Sequence, residues 1–343
     1  MNKTFQSILV LAVSFMAAAY SQTATPLKKI DVGYLSAATG HSKLFIAQEA
    51  GLFKKNGLDV KLVAFPNSGD GLAAIRANKI VAGPFGAIAP FIHIAEGADI
   101  RLIGGIMGED SAIVVKPENA GLVKSIKDLK GKKVGVIRLS TGDAVTRGAL
   151  TKAGLDWRKD LQIIELKNPP AVVEAVKTGK VFAGVTWGPH DRTAENQGLK
   201  VVLRSRDLAP GHPCCRLIAL GKNVDQSPDV LKKLVKSLIQ AEKLAAEDHE
   251  KALDYIGKWI NIDRETLRAA YYSGFVDQTT DPNRTGLREF WATAKDADFI
   301  KSDKNPDDYI NTALYKAALD ELIAESPADP FYQKAKAIFD SRN

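Results

Sequence analysis

The chain repeats itself, and that repeat limits the folds open to it. Lys55-Asn56-Gly57-Leu58-Asp59 returns as Lys152-Ala153-Gly154-Leu155-Asp156. Ala74-Ile75-Arg76-Ala77-Asn78-Lys79-Ile80-Val81-Ala82-Gly83 returns as Ala175-Val176-Lys177-Thr178-Gly179-Lys180-Val181-Phe182-Ala183-Gly184. In each copy a short strand is expected after the first motif. A helix ending in a basic turn is expected before a small-residue strand. Two similar βα units predict two lobes of one architecture, and lobe interfaces leave the clefts in which small molecules bind. A length of 343 residues, 45% hydrophobic and 25% charged, suits two globular domains or one large one.

The N-terminus stands apart from that core. Lys3 precedes the apolar run Ile8–Ala19, and Ala19-Tyr20-Ser21 puts small residues where a signal peptidase reads. The run is shorter than the roughly 20 apolar residues a spanning helix needs, so residues 1–21 read as a cleaved secretory signal; a short membrane anchor is the alternative. No cysteine near Ser21 offers a lipoprotein anchor. The formal charge is +7, or +6 without Lys3. The basic residues are dispersed, with no dense block and no interleaved aromatics, which argues against nucleic-acid binding. A positive chain favours an anionic ligand, although net charge is a weak guide. The two cysteines, Cys214 and Cys215, are neighbours and do not easily pair with each other, so no long-range disulfide braces the fold.

Strand and helix signals alternate through two thirds of the chain. Strands are expected at Ile30–Leu35, Leu58–Phe65, Ile80–Gly83 and Ile100–Ile106, then at Lys133–Leu139, Leu161–Leu166, Val181–Thr186 and Lys200–Arg204. Helices are expected between them, including His41–Lys55, Asp143–Ala153 and Pro170–Thr178. Such alternation implies parallel sheets with helices on both faces, hence an α/β chain of two doubly wound lobes. After about Ala219 the sequence is nearly all helical, opening with Ser227-Pro228-Asp229 as a helix start. These helices are expected to pack on the first lobe. The divisions that follow are 28–110 for the first part of lobe 1, 111–212 for lobe 2, and 213–343 for the return to lobe 1. Two chain crossings make a hinge suited to closure.

Ile30–Leu35, His41, the run Ala47–Val60 and Asp128–Val136, with Gly179–Gly184 and Trp187-Gly188-Pro189, resemble the periplasmic solute-binding proteins of the nitrate/sulfonate/taurine class. These are also called SsuA/ThiY-like or NMT1-like and serve ATP-binding-cassette importers. The resemblance covers essentially the whole mature chain and is more specific for the family than for the ligand. It implies a type II periplasmic-binding-protein fold with a two-strand hinge and C-terminal helices on lobe 1. It also implies no catalysis, no cofactor, and delivery of a captured solute to a permease in the inner membrane. A monomeric periplasmic receptor for a sulfonate, nitrate or related organic acid is the expectation.

Ligands in such sheets sit beyond the C-terminal ends of strands. Candidates there are Ser36, Thr39 and His41, then Asn67, Ser68, Gly69 and Asp70, then Pro84, Phe85 and Gly86. In the second lobe they are Ser140, Thr141, Gly142 and Asp143, then Trp187, Gly188 and His190. Ser140-Thr141-Gly142 is the best anion site, because a helix start offers free N–H groups and partial positive charge. Ser140 or Thr141 as a simple cap is the plainer reading, and an Asp143 carboxylate pointing into the cleft would repel an anion. Phe85 and Trp187, and less so Phe65, are candidates for walls against an apolar body; core packing is the alternative for each. His41 and His190 are candidate donors or ordinary surface residues. His212-Pro213-Cys214-Cys215-Arg216 admits three readings: Arg216 forking onto an acidic head, a soft-metal set of His212, Cys214 and Cys215, or two buried thiols in a hinge strand with Arg216 tied to a neighbouring acid. Two rival classes remain. One is a thiamine-pyrimidine-type binding protein, or a pyrimidine synthase-like enzyme of this fold, for which the cysteine motif here is incomplete. The other is an exported sensor. Phosphate-loop, zinc-helix and Gly-x-Ser-x-Gly motifs are missing from the sequence.

Overall fold

A computed structural model describes residues 26–36 and 38–343; the expected signal segment 1–21 lies outside them. Among the described residues ten strands form two five-stranded sheets. The first contains β1 (Lys28–Leu35), β2 (Leu58–Phe65), β3 (Ala82–Gly86), β4 (Ile100–Gly108) and β10 (Pro213–Leu220). The second contains β5 (Ala112–Val115), β6 (Lys133–Ile137), β7 (Gln162–Leu166), β8 (Ala183–Thr186) and β9 (Lys200–Arg204). Their orders are β2-β1-β3-β10-β4 and β7-β6-β8-β5-β9. This is one pattern used twice, with the crossing strand fourth in each sheet.

The sheets are mixed, which corrects the expectation of parallel ones. β1 runs parallel to β2 and β3, but β10 is antiparallel to both β3 and β4. Likewise β6 runs parallel to β7 and β8, while β5 is antiparallel to β8 and β9. The chain passes from the first sheet to the second between Gly108 and Ala112 and returns between Arg204 and Pro213. Each crossing strand therefore enters its sheet against the grain.

The repeated motifs mark matched chain reversals. Gly57 and Gly154 both sit at left-handed φ, 82° and 83°, where glycine carries no Cβ penalty. At the second repeat Asn78 (φ 54°) stands opposite Gly179 (φ 75°); asparagine is among the few other residues that tolerate this conformation. The helices between these points begin alike. Asn67 Oδ1 accepts from Asp70 N at 2.9 Å, and Asn168 Oδ1 accepts from Ala171 N at 3.0 Å, each satisfying a free donor of the first turn. The expected His41–Lys55 helix is broken in two, Ser42–Glu49 and Leu52–Lys55, by Gly51 at φ 68°.

Period-two patterning puts a core on each face of the second sheet. Ile113 and Val115 join one cluster with Val134, Val136 and Leu150. Val114, between them, joins another with Val173 and Val176. The first sheet shares one larger core with the C-terminal helices, through Leu231, Leu234, Leu238, Leu287, Tyr315 and Phe339. One of those helices, Arg284–Asp296, also reaches the other lobe. A Cβ on Gly148 would lie 2.5 Å from Thr293 Cγ2. Just beyond it Trp157 Nε1 donates to Ala297 O at 3.3 Å, and Arg158 pairs with Asp298 at 2.7 Å.

Candidate functional site

A cavity lies where the C-terminal ends of the parallel strands of both sheets converge. Lobe 1 supplies Leu35 and Ala38 beyond β1, Ser68, Gly86 at the end of β3 and Met107 near the end of β4. Lobe 2 supplies Ser140, Thr141 and Gly142 beyond β6, and Trp187 beyond β8. Ser111 and the start of β10, Cys214 and Cys215, complete the lining at the crossings. The cavity measures about 20 Å³, room for about one water-sized group. A larger solute enters only if the lobes move apart.

The lobes touch closely around it. Thr141 Oγ1 donates to Cys214 O at 3.0 Å, and Ala87 N donates to the same oxygen at 2.9 Å. Ser68 Oγ accepts from Gly86 N at 3.0 Å. A Cβ on Gly86 would lie 2.9 Å from Thr141 Oγ1, so only glycine permits this approach. A second seam joins Thr39 N to Gly188 O at 3.2 Å, and Gly188 N donates to Asp110 Oδ1 at 3.2 Å. Asp110 Oδ2 is buried without a partner. Burial first, then the neighbouring Cys214 and Asp191, pushes the Asp110 carboxyl well above its ordinary range.

The 12-residue helix Thr141–Lys152 opens on the cavity. Ser140 caps it, its Oγ accepting from Asp143 N at 3.1 Å. With Thr141 Oγ1 committed to Cys214, the hydroxyls serve the protein itself, and the first-turn N–H groups carry the positive end of the helix. Asp143 is tied bidentately to Arg147, at 2.7 and 3.0 Å. Burial nevertheless raises its carboxyl to about 6.

Four of the ten residues expected to bind ligand line the cavity: Ser68, Ser140, Thr141 and Trp187. The others lie elsewhere. Arg216 is fully buried and donates from Nη1 to Met107 O at 3.2 Å and Cys215 O at 3.0 Å. Its charged neighbours are Asp277 and Asp281, on the side of the C-terminal helices, so it does not face a solute. Phe85 is core, set edge-to-face on Phe65 and covered by Gly71, Gly33 and Gly83. Its place next to Pro84 and Gly86 reflects the space its ring needs, not a ligand wall.

His41 is buried and accepts from Leu35 N at Nδ1, 3.0 Å. Burial, then Lys43, pushes it down to about 3, so it is a neutral structural residue. His190 is absent from the cavity lining and is held at about 4, chiefly by burial. Ser36 is exposed, with its N–H on Phe65 O at 2.9 Å. Thr39 belongs to the Gly188 seam. His212 is separated from the thiols: it lines a different groove of about 740 Å³ between the helices Thr141–Lys152 and Arg284–Asp296. Among the described residues no three His, Cys, Asp or Glu side chains gather as a metal set. That groove is larger than the cleft but meets none of the strand ends.

Met107, Ser111 and Asp110 are not among the residues to which the sequence points. They lie at the lobe crossing, where the sequence shows a boundary and no motif. The run Gly104-Gly105-Ile106-Met107-Gly108 was the available signal, since closely spaced glycines in a strand mark tight approach or irregular pairing.

The profile of the NMT1-like family matches residues 23–261. The chain belongs to the NMT1-like family. A protein of Brucella abortus (strain 2308) described as a binding protein is 27% identical over 319 residues, covering 90% of this chain and 97% of its own. The aliphatic sulfonates-binding protein of Escherichia coli (strain K12) is 25% identical over 276 residues, 80% of this chain and 83% of that one. A shorter stretch of 97 residues, 28% of this chain, is 28% identical to a hydroxymethylpyrimidine phosphate synthase of Saccharomyces cerevisiae. In fold, this NMT1-like chain is similar to the periplasmic nitrate-binding protein NrtA of Synechocystis PCC 6803, with TM-score 0.75, 17% identity, and coverage of 92% and 99%. Its sheets are thus those of a periplasmic binding protein, the group its motifs resemble.

Proposed function

We propose that this chain is an extracytoplasmic receptor of an ATP-binding-cassette importer. It captures a small solute with an anionic head, a sulfonate, nitrate or related organic acid, between its lobes and delivers it to an inner-membrane permease. It acts as a monomer and performs no catalysis. The observation that carries this reading is the N-terminus of the helix Thr141–Lys152 opening on a cavity that both lobes build. Its free N–H groups and partial positive charge suit an oxyanion. With Arg216 turned away, those N–H groups are the main source of positive potential for the head, and Trp187 gives the body an apolar surface. The sulfonates-binding relative supports the same class of solute.

Closure explains how binding becomes a signal. A ligand that prefers the closed arrangement shifts the population toward it, and the permease then meets a surface composed of both lobes. A thermal-shift screen over sulfonates, nitrate, carboxylates and pyrimidines tests the reading. One class is expected to raise the melting temperature and to be recovered chemically unchanged. Thr141→Val, which removes the hydroxyl bond to Cys214 O, is expected to weaken that ligand by about 1 kcal/mol, close to fivefold. Turnover of any compound, or no shift with any of the four classes, would overturn the proposal.

A further inference from the structure

The cleft floor is rich in sulfur: Cys214, Cys215 and Met107 all line the one small cavity. Successive residues of a regular strand face opposite sides, so adjacent cysteines would not ordinarily share it. Here the ladder between β10 and β4 shifts register at Pro213/Cys215 and again at Cys215/Arg216. Such irregularities re-aim side chains, and both cysteines line the same cavity. Met107 is the cross-strand partner of Cys215. Both thiols are buried and free.

We propose that the cleft takes a single soft monovalent metal ion, a cuprous ion, held by Cys214 Sγ, Cys215 Sγ and the Met107 thioether. The inference rests on the reading of this cleft as the ligand site and names a second class of guest for it. Thiolate and thioether donors select Cu(I) among the common metals. A structural zinc ion takes four ligands in a tetrahedron, and the cleft offers three sulfurs with His212 in another groove.

Binding is a proton exchange. Two thiols lose their protons to solvent as two sulfur–copper bonds form, the thioether donates a lone pair, and no electron is transferred. Cu(I) with two thiolates carries one negative charge. Arg216, 3.0 Å from Cys215 O through Nη1, and the positive end of the helix Thr141–Lys152 offset it. Arg216 thus serves the site from behind the strand.

The full chain, kept reduced with ascorbate under nitrogen, is titrated with Cu(I) against a competing chromophoric chelator. One equivalent is expected to be withdrawn, with thiolate-to-copper absorption in the ultraviolet. Cys214→Ser and Cys215→Ser should each weaken binding by more than about 100-fold, beyond what loss of an outer-shell contact costs. Met107→Leu, which keeps the core volume, should weaken it by about tenfold. No stoichiometric uptake, equal uptake by the double cysteine variant, or Zn(II) bound as tightly would overturn the inference. A positive organic-solute screen on the same preparation without copper uptake sinks the ion and leaves the receptor intact. Failure of the screen alone sinks the receptor reading and leaves the ion.

Discussion

The two lobes share a frame and differ at the rim. Strand order, left-handed turns and capping asparagines recur from one to the other. Counting from the second repeat, Ser68 stands where lobe 2 has Pro169, and Gly86 stands where it has Trp187. Both Gly86 and Trp187 line the cavity, so one lobe supplies space and the other bulk. Ser68, in turn, braces Gly86, whereas Pro169 only starts a helix. Duplicated scaffolds keep the residues that set backbone direction and change those that meet the guest.

Buried charge separates the lobes most sharply. Lobe 1 holds Arg216 alone among backbone carbonyls, with carboxylates at longer range, whereas lobe 2 pairs Arg147 directly with Asp143. Arg216→Ala is expected to destabilise the protein by about 2–5 kcal/mol through the cavity it leaves in the core, with solute affinity at low temperature little changed. Chemical denaturation alongside calorimetric titration checks this. A loss of affinity without a loss of stability would restore Arg216 to the solute.

One buried group from each lobe, His41 and Asp143, responds to acid in the opposite direction to the other. His41 holds at about 3 when folded against 6.5 when unfolded, so the unfolded chain takes up the proton first. Its contribution is complete above pH 6.5 and drains away as pH falls toward 3. Asp143, at about 6 when folded against 3.8, does the reverse: its proton favours the folded chain, and that advantage is lost as pH rises from 3.8 through 6. His41→Gln is therefore expected to spare about 3 kcal/mol of the stability lost between pH 6.5 and 4, while Asp143→Asn should lessen the decline on the rising side. Melting curves across that range distinguish the two, and identical pH profiles for His41→Gln and the parent would refute the first.

The smallest effect compares the two caps. Asn168→Ala should cost about 1 kcal/mol in stability and leave binding unchanged. Asn67→Ala should cost the same and also weaken the solute, because Ser68 follows it at the cavity. Equal binding in both variants would show that the rim does not depend on this cap.

Much of the frame was legible because it is local. Leu58–Phe65 alternates and forms a strand over those same residues, and Ser227-Pro228 starts a long helix, Pro228–Glu247. What failed was non-local. Strand direction is not written in hydrophobic pattern, and β5 and β10, which lie in the expected hinge segments, are not among the strands the sequence leads one to expect. A regular β10 would place Arg216 on the same face as Cys214; the register shifts send them to different surroundings. The second copy of the first motif does not lead straight into its strand, because Asp156–Asp160 forms a turn before Gln162. Within the site, Ser140 and Thr141 were readable from helix-start chemistry, while Met107 and the shared orientation of the thiols depend on pairing across β4.

The helix Arg284–Asp296 and the residues just past it attach lobe 2 to the far side of lobe 1, through Gly148, Trp157 and Arg158. The margin beside Gly188 is fastened as well: Asn196 Nδ2 donates to Thr266 Oγ1 at 2.9 Å and Arg206 Nη1 to Gly274 O at 2.6 Å. A door latched along both edges opens only when one latch gives, so substitutions far from any ligand, at Trp157 or at Asn196, would each change how readily the lobes part.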